Sequence, residues 1–268
     1  MRKLAQRVEE LLGQPVRSVE GLGGGDISEV FAILLERGDR VVAKLGPLVD
    51  VEAEMLRAIA AAGTPAPPVV ACADGLMVMG HCRGRSGIGV AWDSLAEILT
   101  RQWSHQTSGD YGWDADYAFG SVTLPNSPSE SWTRFWGGNR LGCHLPHLPD
   151  NLAGRIEALI ARLGDHLPDR PGPDFLHGDL WGGNVLSEGS EITALIDPAC
   201  CRGHREVDVA MLTLFDRPPE RFFHALELEQ GWEGRLPIYR LFPLLVHYRL
   251  FGEGYRPGIE AELAQVGC

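Results

Sequence analysis

The 268-residue chain, 44% hydrophobic and 22% charged, is long enough to bury a sizeable core without staples and too long for one small module, so one large domain or two intimate lobes fits. A net charge of −12 argues against a binder of phosphate backbones, which needs a basic face, and is compatible with a cationic, amine-bearing substrate. No apolar run reaches the ~18 residues of a membrane span, and six cysteines without a CxxC pair point to a reducing, cytoplasmic compartment.

The opening MRKLAQRVEELLGQ predicts an amphipathic helix and lacks the long apolar core of a signal peptide. Residues 16–22 and 30–35 read as strands, with GLGGGDISEV between them. There Gly23, Gly24 and Gly25, with Asp26, Ile27 and Ser28, let backbone N–H groups approach nucleotide phosphates. The loop lacks the GK[ST] ending of a Walker A motif, which disfavours a P-loop NTPase. RVVAKLG, 40–46, is a third strand, and its Lys44 sits in a run apolar on both faces, so it needs a partner.

The helix that follows, 51–63, ends at Gly63 before Pro65, Pro67 and Pro68. It offers Glu52 and Glu54, which point about 200° apart at ~100° per residue, so only one faces Lys44 easily. We assign Glu54. Strands 69–73 and 76–79 join at Asp74-Gly75, a hairpin signal. The segment 80–89 reads as a hinge, with Met79, Gly80 and His81 offering backbone atoms to adenine. This order is that of a kinase small lobe, and it predicts an α+β, bilobal protein-kinase-like fold. Residues 1–80 form a nucleotide-binding lobe with an antiparallel sheet and one main helix, and 81–268 a larger, mainly helical catalytic and substrate-binding lobe.

In that second part, helices are expected at 92–107, 132–141, 152–167, 206–215, 220–230 and 237–252, and 110–129 reads as a loop over the cleft. Trp132 and Trp136, four apart, read as core. Cys143, His144 and His147 have no fourth metal ligand at a suitable spacing and read as solvated loop residues.

HGDLWGGN, 177–184, followed by LIDPA, 195–199, supplies an aspartate, an asparagine five residues on and a second aspartate thirteen further. Protein kinases use such a set. Asp179 is the candidate catalytic carboxylate, which orients an attacking hydroxyl and accepts its proton. Asn184 and Asp197 are the candidate Mg2+ ligands, brought together by a hairpin turning near Glu188, Gly189 and Ser190. His177 reads as a structural anchor. Trp181, His204, Arg205 and Glu206 are candidates for the sugar site, and Asp208 for a cap or loop anchor. Asp197 is followed at once by Pro198, with a helix within about ten residues. That leaves no room for an activation segment and points to a small-molecule acceptor or a modified side chain.

On GGGDIS, VAKL, FLHGDLWGGNVL, IDPACCRGHREVDVAM and HYRLFGEGY, the chain resembles the fructosamine kinase (ketosamine-3-kinase) family through nearly its whole length. The resemblance implies ATP-dependent phosphorylation of a sugar hydroxyl, at the third carbon of ketosamines carried on free amines or protein lysines. In the family this labilises the adduct and repairs the protein. It also implies a fold shared with aminoglycoside and choline kinases. Three positions depart from the family pattern. Leu124 stands where it usually has glutamine, and Cys200-Cys201 where aromatics follow D-P-A; contact of these positions with the sugar would alter substrate range. The competing readings are an aminoglycoside- or choline-type phosphotransferase and a non-catalytic nucleotide-binding regulator. No nucleic-acid or membrane partner is expected, and either a monomer or a homodimer fits.

Overall fold

The computed structural model describes residues 1–22, 29–105 and 109–268. The chain begins with α1 (Arg2–Leu12), β1 (Val16–Gly21), β2 (Glu29–Leu35), β3 (Arg40–Leu45), α2 (Val49–Ala61), β4 (Val69–Ala73), β5 (Leu76–Gly80) and β6 (Arg85–Ser86). Next come α3 (Trp92–Trp103), β7 (Tyr117–Phe119), β8 (Val122–Leu124), α4 (Trp132–Phe135), α5 (Asp150–Ile160) and β9 (Asp174–Leu176). It closes with β10 (Val185–Glu188), β11 (Glu191–Leu195), β12 (Cys201–Gly203), α6 (Glu206–Phe215), α7 (Glu220–Ala225), α8 (Trp232–Phe251) and α9 (Arg256–Gln265).

Two units result: Met1–Ala91 with Gly183–Pro198, and Trp92–Gly182 with Ala199–Cys268. The first therefore runs past residue 80 and takes in the later hairpin. The reason is pairing: β10 adds to β6 through Leu186 opposite Ser86 and Ser187 opposite Arg85, and Leu195 N–H donates to Pro65 C=O at 2.8 Å.

In the first unit an antiparallel sheet of order β1-β2-β3-β5-β4 is buried on both faces. Leu4 and Val8 of α1 pack on Ile33, Leu35, Val41, Ala43, Leu76 and Val78. Val49, Ala53 and Leu56 of α2 pack on Met77 and Met79, with Val42 against them. Strand side chains alternate, so Val41 and Ala43 face α1 while Val42 and Lys44 face α2. Each Val, Leu, Ile or Met side chain among these contributes about 1.5–3 kcal/mol when fully buried.

In the second unit Trp132, Phe135 and Trp136 stand on one helical face; Phe135 stacks on Trp132, and Trp132 and Trp136 pack with Tyr239 of α8. Trp132 and Trp136 are core, as expected, at 0% and 1% exposure. After α4 the chain continues as a π-helix, Trp136–Leu141. The stretch 110–129 holds the β7–β8 hairpin, not a plain loop. α8 starts five residues before Pro237, which with Pro243 lies inside it. α9, with a proline in its first turn, is a helix the sequence pattern does not announce. His144 is fully buried beside Arg249, at 3.4 Å, so it is not a solvated loop residue. Burial, then the charges of Arg249 and Arg140, hold its pKa down to about 3.

Candidate active site

Lys44 is buried on β3 and held by two carboxylates of its own unit. Its Nζ donates to Glu52 Oε1 at 2.7 Å and to Asp197 Oδ1 at 2.7 Å. The expected partner Glu54 is exposed. The correction follows from helix phase. Val49, Ala53 and Leu56 form the stripe that α2 lays on the sheet, Glu52 lies on that stripe, and Glu54 points roughly 200° away from Glu52. Burial pulls the Lys44 ammonium toward neutrality, but the charges of Asp197 and Glu52 and their hydrogen bonds outweigh it, so its pKa lies above the usual 10.5.

Asp197 leaves β11 with φ of 51°. This left-handed conformation is one that Asp and Asn adopt more readily than most residues. Its side chain is 44% exposed. Asn184 precedes β10, and its C=O accepts Ile196 N–H at 3.0 Å. The mouth of the β10–β11 hairpin thus brings Asn184 next to Ile196, adjacent in sequence to Asp197. A hard divalent cation takes one or two protein oxygens and completes its shell with water and phosphate. A carboxylate and an amide carbonyl at one hairpin mouth fit that demand. Met79 and Gly80 end β5, and His81 follows, exposed. Gly23, Gly24, Gly25, Asp26, Ile27 and Ser28 lie outside the described residues.

Asp179 is carried by the second unit, on the turn after β9, and is partly exposed. Three donors converge on buried Asp208 to hold that turn. They are the N–H groups of His177 (3.1 Å) and Gly178 (2.9 Å) and Trp103 Nε1 (3.1 Å). Burial drives the Asp208 carboxyl up to about 6, and the N–H donors from Gly178, Trp103 and His177 oppose it. His177 is fully buried, and its Nδ1 accepts the N–H of Asp179 at 3.3 Å. Both residues act as anchors of the turn that carries Asp179. Gly178 has φ of 81°, and a Cβ there would overlap the carbonyl oxygen of Ala199. This explains why glycine replaces the arginine of the protein-kinase pattern.

The GHRE segment corrects the expectation of a sugar-site floor. His204 and Glu206 are 2% and 0% exposed. Tyr239 hydroxyl accepts Trp132 Nε1–H at 3.0 Å and lies 2.7 Å from His204 Nδ1. Donation of the hydroxyl proton to Nδ1 leaves His204 with its proton on Nε2, 3.5 Å from Glu206 Oε1. Burial, then the charges of Arg235 and Arg205, hold His204 down to about 3, so it is neutral. Glu206 pairs with Arg235 through Nε at 2.8 Å and through Nη2. Arg205 grips Asp174 with Nε and Nη2, at 3.0 and 2.8 Å. These residues brace β9 and α6 beneath the turn.

Leu124, Cys200 and Cys201 are also buried, so their side chains do not present themselves to a sugar at the surface. Trp181 is exposed, at 39%. It opens an aromatic row: Phe215 at 5.8 Å from it, His247 at 5.3 Å from Phe215, then Phe251 and Tyr255 against His247. Sequence reasoning does not join these residues into a row, although HYRLFGEGY carries three of its members at spacings of four. Behind Trp181, Gly182 N–H donates to Asp216 at 2.8 Å.

Comparison with known proteins gives a consistent picture. The model of the fructosamine kinase family matches residues 1–266. A protein of Synechocystis sp. named probable ketoamine kinase is 30% identical, over 98% of this chain and 95% of its own length. The chloroplastic protein-ribulosamine 3-kinase of Arabidopsis thaliana is 32% identical over 56% of this chain and 49% of its own. The crystal structure of a candidate fructosamine-3-kinase from Thermobifida fusca superposes with a TM-score of 0.90 at 28% identity, covering 99% of this chain and 98% of that one. An aminoglycoside phosphotransferase bound to ADP and hygromycin B superposes at 0.73 with 16% identity over 99% of both chains, which shows the shared protein-kinase-like fold.

Proposed function

Since the chain belongs to the fructosamine kinase family, we propose that it transfers the γ-phosphoryl group of ATP to a sugar hydroxyl of a ketosamine, a sugar–amine adduct on a free amine or a protein lysine. The observation that carries this reading is Lys44 locked at 2.7 Å between Glu52 and Asp197. A buried ammonium kept charged by two acids is what a site for phosphate needs.

Asp179 orients the acceptor hydroxyl and takes its proton as the oxygen attacks phosphorus. Lys44 supplies positive charge to the phosphates, and Glu52 keeps it aimed. Asn184 and Asp197 would hold Mg2+, which when bound neutralises phosphate charge. The peptide groups of Met79, Gly80 and His81 meet adenine. Trp181 lines the acceptor site. The name of the Arabidopsis relative supports position 3 of the sugar. We place the enzyme in the cytoplasm; six unpaired cysteines suit a reducing compartment. No helix among the described residues is long and apolar enough to cross a membrane.

The test is ADP release with a fructosamine, a ribulosamine and an aminoglycoside as acceptors, with and without Mg2+, and with Asp179→Asn as control. Phosphate found on the ketosamine sugar, dependent on Asp179, supports the reading. Transfer to the aminoglycoside alone would replace it with the antibiotic-kinase reading.

A further inference from the structure

The second unit carries a groove of about 630 Å³ that the reaction above leaves unused. It is built by α7 and the start of α8. Phe223 and Trp232 stack within it, ring centroids 4.9 Å apart and planes 26° apart. Glu220, Glu227 and Glu233 line it and are exposed, and among the described residues no lysine or arginine lines it. The arginines of the same elements are engaged elsewhere, Arg221 with Asp93 at 2.9 Å and Arg235 with Glu206. His224 lies 3.5 Å from Glu220, which leaves Glu227 and Glu233 as the acids without an adjacent cation on this wall among the described residues.

Carboxylates around a stacked aromatic pair recognise a planar or compact cation. Guanidinium does so best, because it lies on aromatic faces and pairs with carboxylates at its edge. The groove is also close to the catalytic turn along the chain. Asp216 accepts Gly182 N–H, and Pro218, two residues on, lines the groove. At 3.8 Å per Cα step, that puts Pro218 within about 7.6 Å of Asp216. An extended peptide advances ~3.5 Å per residue, so a side chain a few residues from the reacting position has the required reach. A small free ketosamine, seated at Trp181, has no atoms to place there.

We propose that this groove takes the guanidinium or ammonium of a basic residue flanking the modified lysine of a protein substrate, an inference that rests on the ketosamine kinase reading. The groove would then select the protein context of the adduct, separately from the sugar.

Three acceptors test it: a free ketosamine, a ketosamine-bearing peptide with arginine three residues from the modified lysine, and the same peptide with glutamate there. The wild type should show a KM for the arginine peptide at least about fivefold below that for the glutamate peptide. Glu227→Gln with Glu233→Gln should abolish the difference and leave kcat/KM on the free ketosamine unchanged. Both positions are exposed, so the double variant should fold, and Trp232→Phe adds a milder probe of the stack. Equal KM values in the wild type, or a preference that survives the double variant, overturn the groove. No turnover of any ketosamine instead overturns the kinase reading, and the groove proposal falls with it.

Discussion

Lys44 donates to Glu52 at 2.7 Å with the two side chains only 5% and 3% exposed, so the cation proposed to meet the phosphates and its support form one buried unit. Removing one partner of a buried pair costs about 3–5 kcal/mol. Lys44 keeps Asp197, so Glu52→Gln should fall at the lower end of that range. It should also lower kcat/KM by about tenfold or more, since 1.36 kcal/mol of lost transition-state contact is tenfold. Glu54→Gln should change both within about twofold and 0.5 kcal/mol. Denaturant midpoints and steady-state ADP release for the two variants decide between the glutamates.

Asp179 stands on a turn held by Asp208, which accepts the N–H groups of His177 and Gly178, and by the His177 ring, which accepts the N–H of Asp179. These bonds run through backbone N–H groups, so an isosteric change of the Asp179 carboxylate to an amide leaves them in place. Asp179→Asn should lower kcat by about 10²- to 10⁴-fold, the range for a positioned proton acceptor, and leave the melting temperature within about 2 °C. A variant retaining more than a tenth of wild-type kcat would remove Asp179 from the chemistry.

How far the sequence speaks differs between these residues. Lys44 announces itself, because an ammonium in an apolar strand demands a partner and the strand order supplies a kinase-like setting. Glu52 does not, because the choice depends on the absolute phase of α2. That phase is set by the Val49, Ala53 and Leu56 stripe, which is legible in the sequence once the helix is started at residue 49 rather than 51. Asp208 reads only as an anchor near a helix start, since its donors lie 30 to 105 residues away. His204 and Glu206 mislead for a physical reason. Charged motif residues look functional, and only the tertiary fold reveals that Arg235, 29 residues on, and Tyr239 absorb them. Elements set by local pattern, such as α1 and the β4–β5 hairpin, are legible. The β7–β8 hairpin and α9, with weak periodicity, are not.

Gly178 gives a stability prediction. Alanine there must hold φ near 81° and clear the Ala199 oxygen, which its Cβ would overlap. A left-handed non-glycine residue costs about 1–3 kcal/mol before any clash. Gly178→Ala should therefore lower stability by at least about 3 kcal/mol and kcat along with it, because the turn carrying Asp179 must shift. Thermal melts should show a fall of roughly 6 °C or more for a chain of this size. An unchanged melt would mean the turn has another conformation available.

Asp208 makes a signed prediction about pH. Its carboxyl titrates at about 6 in the fold, against a usual value of 3.8, because it is buried. Between these values the folded state holds more protons than the unfolded state. Stability from this group is thus greatest below 3.8, falls as pH rises through 6, and is flat above. The change is about 3 kcal/mol in size. Asp208→Asn cannot titrate, so its stability curve from pH 4 to 7, measured by urea unfolding, should lose that downward slope. The same variant places an amide donor among three N–H donors, so kcat should fall at every pH. A wild-type curve without the slope, or an Asp208→Asn curve that keeps it, would dissociate the group from the pH dependence.

Trp181 separates two roles that its position allows. It is 39% exposed and rests against Phe215 at 5.8 Å with planes 57° apart, so it has a ring neighbour on one side and a surface left for a ligand. An indole face buries apolar sugar C–H surface well, and its loss in Trp181→Ala removes that contact with little cavity cost, because the side chain is not enclosed. If the ring lines the acceptor site, KM for the ketosamine should rise about tenfold while KM for ATP stays within twofold, and Trp181→Phe should recover most of the loss. If it instead wedges the turn, KM for the ketosamine should hold steady while kcat and the melting temperature fall together. The row that continues through His247 and Phe251 supports the first outcome, since a wedge alone gives no reason for exposed aromatics beyond Phe215.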